Sequence, residues 1–221
     1  MLRPIRRGKA IHMNLDRILP LAAPLLRRAL RSKQKAREAQ FAAVPRSPHR
    51  VVFLGDSITE WTTWEDWFPH LPTTNRGIGG QAICDVVRRL DSAIIAPKAI
   101  SLLIGTNDLH GLGKSSKVRA IITQMDELVD RIRTLAPLSP LLINSVTPRS
   151  THFRDRIIEL NLGYAEIAAR CGATFIDLWP VLADLNGAIL SEKSIDGLHL
   201  SVAGYKSWAD ALCPHLAPLS A

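Results

Sequence analysis

Apolar residues follow two rhythms along this chain. Short continuous runs alternate with longer stretches in which apolar positions recur every three or four residues. Val51, Val52, Phe53 and Leu54 form the clearest run, stopped by Gly55, Asp56 and Ser57. An apolar run closed by glycine reads as a strand buried on both faces, as in a parallel sheet. Further strands are expected over 73–78, 99–104, 141–146 and 174–176. The stretches between them have helical period, at 82–96, 117–135, 154–170 and 201–216. In the second of these, Val118, Ile121, Ile122, Met125, Leu128, Val129 and Ile132 share one face. Strands separated by helices of this length require crossovers, and therefore pair in parallel. The expected fold is α/β: a three-layer α/β/α sandwich with a five-stranded parallel sheet, spanning residues 50–221.

Ahead of that body the pattern changes. Residues 1–12 are basic and without period, which predicts a flexible start. From Asn14 to about Gln40 the spacing is helical: Leu15, Ile18, Leu19, Ala22, Leu25, Leu26, Ala29 and Leu30 form a stripe. Pro20 and Pro24 are expected to interrupt it, since each removes a backbone donor. Residues 42–49, with Pro45 and Pro48, read as a linker. The division is thus a basic N-terminal extension with its linker at 1–49 and a body at 50–221.

Charge sharpens the same boundary. The net charge of +8 belongs to the front. Residues 1–50 hold thirteen Lys and Arg against two Asp and Glu, while the remainder holds fifteen against eighteen. A basic arm on a slightly acidic body argues against a nucleic-acid partner, which a basic domain would suggest. Three destinations stay open for the apolar stripe. It can pack on the body or a second copy in a homodimer, lie on an anionic membrane surface through residues 14–40, or be a cleaved leader. Packing within the protein is favoured, because the acidic body offers the arginines a partner. No apolar run approaches the roughly 18 residues of a membrane span. Cys84, Cys171 and Cys213 are scattered and odd in number, so they read as reduced core thiols, and the expected location is the cytoplasm.

Candidate chemistry gathers at strand ends, where open α/β sheets bind ligands. Ser57 follows the first strand, Gly79 and Gly80 the second, and Asn107 the third. Asp196, Gly197, Leu198 and His199 precede the last helix. Acyl transfer by serine needs a base at the hydroxyl, a group orienting that base, and donors for the oxyanion. His199 suits the base and Asp196 its orienting carboxylate. The N–H groups of Ser57 and Gly80, with the Asn107 amide, suit the oxyanion hole. Each residue alone has a plainer reading: Ser57 and Asp196 as caps, Asn107 as a turn former, His199 as a buried histidine. Their joint placement favours the catalytic one. Trp61, Trp64 and Trp67 recur every three residues, either as core or as a substrate-lining wall beside Ser57.

Gly55-Asp56-Ser57, Gly80, Gly105-Thr106-Asn107-Asp108 and Asp196-Gly197-Leu198-His199 together resemble the SGNH (GDSL-type) hydrolases over about residues 50–217. Asn75-Arg76-Gly77-Ile78-Gly79-Gly80 looks most like the platelet-activating-factor acetylhydrolase catalytic subunits and their bacterial relatives. The resemblance implies a flavodoxin-like sheet and a serine esterase acting on small, short-chain acyl esters, with no metal or other cofactor. An acyltransferase to a sugar or other alcohol, and a binding module without turnover, are the alternatives. Two positions depart from the pattern: Gln81 stands where many relatives have aspartate, and Gly79 where many have serine.

Overall fold

The chain enters its sheet late. In the computed structural model, a long helix, Leu15–Ala43 (α1), comes before the first strand, Val51–Gly55 (β1). Two short helices, Ser57–Glu60 (α2) and Trp64–Trp67 (α3), lead into Thr73–Gly77 (β2). Ile83–Ala93 (α4), Ala99–Leu103 (β3), Thr106–Leu109 (α5), Val118–Leu135 (α6) and Leu141–Asn144 (β4) follow. Arg154–Cys171 (α7), Thr174–Ile176 (β5), Trp179–Leu182 (α8) and Val202–Leu216 (α9) complete the fold. The structure describes the backbone of residues 15–44 and 47–220, and the side chains from Arg28 onward apart from Ala29, Ser220 and the two linker residues. The flexible start expected over 1–12 lies outside the described residues.

All strand pairs are parallel, in the order β2-β1-β3-β4-β5. From β1 the chain runs outward to β2, then crosses back to place β3 on the other side. The strand order therefore reverses between β1 and β3, and their carboxyl ends flank the crevice where such folds place ligands. Strand β1 is buried throughout. Val52 and Leu54 enter a core shared with α4, α6 and α7, while Val51 and Phe53 enter one shared with α3, α8 and α9. Burial on both faces is what the uninterrupted apolar run predicts. The expected strands overshoot the ladder by a residue or two at β2, β3 and β4. Ile78, Ile104 and Val146 remain buried past the last pair, so hydrophobicity outlasts the strand register there.

Two expectations are corrected. Helix α1 is continuous through Pro20 and Pro24 and reaches Ala43, so it also takes the start of the expected linker. Each proline deletes one backbone bond, and the Leu- and Ala-rich flanks sustain the helix on both sides. The cysteines form no disulfide, but they are not core residues: Cys84 and Cys171 are half-buried and Cys213 is exposed. Among the described residues, no helix is long and apolar enough to cross a membrane.

Candidate active site

Strand β1 delivers Ser57 through a tight exit. The Asp56 carboxylate accepts the Ile58 N–H at 3.0 Å and caps α2, making Ser57 the first helical residue. The first helical backbone bonds run from Glu60 N to the Asp56 carbonyl and from Trp61 N to the Ser57 carbonyl. The Ser57 N–H therefore lies ahead of the helix's own ladder.

His199 arrives from the opposite end of the sequence. Its Nε2 lies 3.0 Å from Ser57 Oγ, and its Nδ1 lies 2.7 Å from Asp196 Oδ2. The other Asp196 oxygen accepts the N–H groups of Leu198 and His199 at 2.9 and 2.7 Å. Partial burial pushes the Asp196 carboxyl up, but the bonds from the His199 ring and the two backbone N–H groups outweigh it and hold the group below its ordinary value. Ser194 closes the turn, its hydroxyl donating to the His199 carbonyl and accepting from Gly197 N. Tyr205 of α9 donates its hydroxyl to the Ile58 carbonyl at 2.8 Å, tying the histidine side of the site to the serine side.

The loop after β2 forms the other flank. Gly79 sits against the serine: a Cβ there would lie 3.6 Å from Ser57 Cβ and 3.0 Å from Glu60 Oε2. Gly80 has φ +73°, a conformation that favours glycine. A Cβ at Gly80 would lie 2.5 Å from Leu30 Cδ1 of α1, so a helix of this chain already crowds the position. Asn107, from α5 beyond β3, is buried and donates its amide to the Gln81 carbonyl at 2.9 Å, with a longer 3.4 Å contact to Asp56 Oδ2. Its orientation is thus set by the glycine loop.

The tryptophans do not share a face. Trp61 follows α2 as its C-cap while Trp64 and Trp67 bound α3, and only Trp61 is at the site, about half exposed and stacked on the His199 ring at 3.8 Å and 17°. Trp64 is fully buried and stacked on Phe53, which removes it from any open wall. Trp67 donates to Thr62 Oγ1 at 2.9 Å.

Sequence reasoning missed several supports. Glu60 accepts the Gly79 N–H at 2.8 Å. The Asn75 amide donates to the Thr59, Glu60 and Thr62 carbonyls, and its oxygen accepts Gly77 N. Beneath the floor, burial pushes Asp56 and Asp108 each up to about 7, against the lowering effect of backbone bonds from Ile58 and Ile83 respectively. Arg149, buried beside them, bonds Thr106 Oγ1 at 3.2 Å and the His110 ring. Only the buried, charged character of positions 56 and 108 inside apolar surroundings could have flagged this floor. Among the described residues, no group of His, Cys, Asp or Glu has the arrangement of a metal site.

This geometry meets its family at 53–207, which match the model of the GDSL-like Lipase/Acylhydrolase family. The chain belongs to that family. It is accordingly a serine hydrolase, and as an acylhydrolase it takes small-molecule esters. It is 29% identical over 173 residues to platelet-activating factor acetylhydrolase IB subunit alpha1 of Homo sapiens, covering 73% of each chain. The alpha2 subunit of Rattus norvegicus is 25% identical over 166 residues, covering 70% of each. A Streptococcus pneumonia structure, provisionally described as a platelet activating factor, superposes with a TM-score of 0.78 at 27% identity, covering 89% of this chain and 98% of that one. An acetylxylan esterase of Geobacillus stearothermophilus shares the fold, with a TM-score of 0.63 at 19% identity over 77% of this chain and 94% of its own.

Proposed function

We propose that this acylhydrolase is an esterase for short acyl groups, acetyl first, working through an acyl-enzyme on Ser57. The relay from Ser57 Oγ through His199 to Asp196, joined across 142 residues of sequence, carries the reading. His199 Nε2 takes the serine proton as Oγ attacks the ester carbonyl. Asp196, ionised well below neutral pH, stabilises the imidazolium and keeps the ring oriented. The N–H groups of Ser57 and Gly80 and the Asn107 amide receive the oxyanion. Asn107 keeps one amide hydrogen on the Gln81 carbonyl, and the other, with only its long contact to Asp56, turns to the substrate. Collapse of the intermediate breaks the bond to the alcohol, which takes the proton from His199. Water, deprotonated by the same ring, then releases the acid and restores Ser57.

Two likenesses support the acetyl assignment. The mammalian relatives are named acetylhydrolases, and the Geobacillus enzyme is an acetylxylan esterase. In that enzyme the histidine and aspartate replaced in its catalytic mutants stand three positions apart, the spacing of Asp196 and His199 here. A p-nitrophenyl ester series tests the reading. Acetyl and propionyl esters should exceed octanoyl in kcat/KM, and a fluorophosphonate should label Ser57 alone. A profile rising from two to ten carbons would reject the short-acyl assignment, and labelling elsewhere would reject the nucleophile. Repeating the series with added alcohols separates hydrolysis from acyl transfer.

A further inference from the structure

The front helix does not simply rest on the body. Along its C-terminal half, residues 30, 34, 37, 38 and 41 fall on one helical face, and that face meets the loop at 79–81. Leu30 packs over Gly80, and Gln34 Nε2 donates to the Gly79 carbonyl at 3.1 Å. Arg37 Nε lies 3.5 Å from Glu60 Oε1, while the other oxygen of Glu60 accepts the Gly79 N–H. Glu38 Oε1 accepts the Gln81 amide at 2.8 Å and pairs with Arg88 at 3.4 Å. Phe41 is buried, with the guanidinium groups of Arg37 and Arg76 each 4.6 Å from its ring centroid.

Gln81 is where these contacts converge. Fully buried, it bonds through its amide nitrogen, its amide oxygen and its backbone. Its amide nitrogen goes to Glu38, its amide oxygen accepts Arg89 Nε at 2.7 Å, and its backbone carbonyl accepts the Asn107 amide at 2.9 Å. Arg89 extends the chain to the carbonyls of Gly55 and Arg76, so it also grips the strand end ahead of Ser57. Burial pushes the Arg89 guanidinium down to about 10, which leaves it charged at neutral pH. Position 81 is one of two departures from the SGNH pattern, a glutamine where many of those hydrolases have aspartate. An aspartate here would present a second carboxylate to Glu38, two acceptors with no proton between them. The glutamine offers a donor toward Glu38 and an acceptor toward Arg89, matching both neighbours at once.

We infer that residues 30–41 of α1 are a positioning clamp for the oxyanion loop, acting on Gly80 directly and on Asn107 through the Glu38–Gln81 hydrogen bond. The inference rests on the proposed roles of Gly80 and Asn107. Oxyanion donors are effective because their geometry is fixed before the reaction, and small displacements cost rate more than affinity. Gln34, Glu38 and Gln81 are thus positioning residues, since each touches the donors' supports rather than the reacting atoms.

The test uses the full chain with four variants, Gln34→Ala, Glu38→Ala, Gln81→Glu, and Gln81→Glu combined with Glu38→Gln. On p-nitrophenyl acetate each single variant should lower kcat about tenfold with KM unchanged. In the double variant, the new amide at 38 faces the new carboxylate at 81 and should restore most of kcat. Amide hydrogen exchange should quicken in residues 78–82 and stay at the wild-type rate in 194–201. Glu38→Ala, at a partly exposed position, keeps the test open if Gln81→Glu does not fold. Unchanged kcat together with unchanged exchange in Glu38→Ala would overturn the clamp, as would equal acceleration of exchange in both loops. A wild-type chain that neither hydrolyses the ester nor labels with fluorophosphonate would overturn the esterase reading instead, and exchange at 78–82 would then decide the clamp alone.

Discussion

The loop at 194–201 and the loop at 78–81 meet at the same serine but are held in different ways. The first is assembled from its own residues. Asp196 accepts two backbone N–H groups from within three positions, Ser194 bonds Gly197 and His199, and Ile195 N donates to the His199 carbonyl. The second has little internal bonding beyond Gln81 N to the Ile78 carbonyl. Its order comes from Gln34 and Glu38 of α1, Glu60 of α2, Arg89 of α4 and Asn107 of α5. The proposed general base is therefore oriented by short-range chemistry, whereas the proposed oxyanion side is a product of assembly. Loop-closure entropy explains the contrast: a three-residue turn closes cheaply, while contacts across tens of residues exist only once the sheet is built.

The comparison breaks most severely at the relay. Ser57→Ala and His199→Ala should each lose about 10³-fold or more in kcat, and the double variant should lose little beyond either single one, because the pair acts as a unit. Single-turnover kinetics on p-nitrophenyl acetate measure this, with circular dichroism showing that the fold is retained. On the oxyanion side, Asn107→Ala should cost about 10²- to 10³-fold in kcat with KM little changed. A rise in KM alone would make Asn107 a ground-state binder.

Trp61 tests whether the locally built loop needs outside help. Its indole stacks on the His199 ring, and such pairs contribute about 0.5–1.5 kcal/mol. Trp61→Ala should thus lower kcat by about two- to tenfold, with Trp61→Phe restoring much of it. An unchanged rate would show that Asp196 alone orients the ring.

The floor shared by both flanks bears on stability rather than on rate. Asp56 and Asp108 titrate near 7 in the folded chain because burial disfavours their charge, against about 4 when unfolded. Between these values the folded state binds protons that the unfolded state does not. Their contribution is therefore complete below about pH 4 and is lost as pH rises through 7. Asp196 acts oppositely, contributing above its unfolded value and losing that contribution as pH falls through its lowered folded one. Urea midpoints should decline from pH 5 to pH 8, and Asp108→Asn should flatten that decline.

Much of this molecule could be read from residue order. Val51–Gly55 is buried on both faces because four successive apolar residues leave no polar side to expose. Asp196 and His199 could be paired on paper because three residues of one tight turn leave them few other arrangements. Chain order and strand–helix alternation likewise determined the parallel sheet. The rest depended on positions that only folding brings together. Equal spacing of Trp61, Trp64 and Trp67 says nothing of a break between α2 and α3, which sends one ring to His199 and another into the core. Pro20 and Pro24 lower helix propensity locally, yet helix formation is cooperative and α1 continues through them. Gly80 could be singled out as a candidate oxyanion donor, but not that Leu30 would crowd any side chain placed there. Glu38 and Gln81 lie 43 residues apart with no pattern linking them. Local period and short-range bonding are written in sequence because they involve neighbours; which distant donor meets which buried acceptor is decided only when the core closes and penalises unpaired polar groups.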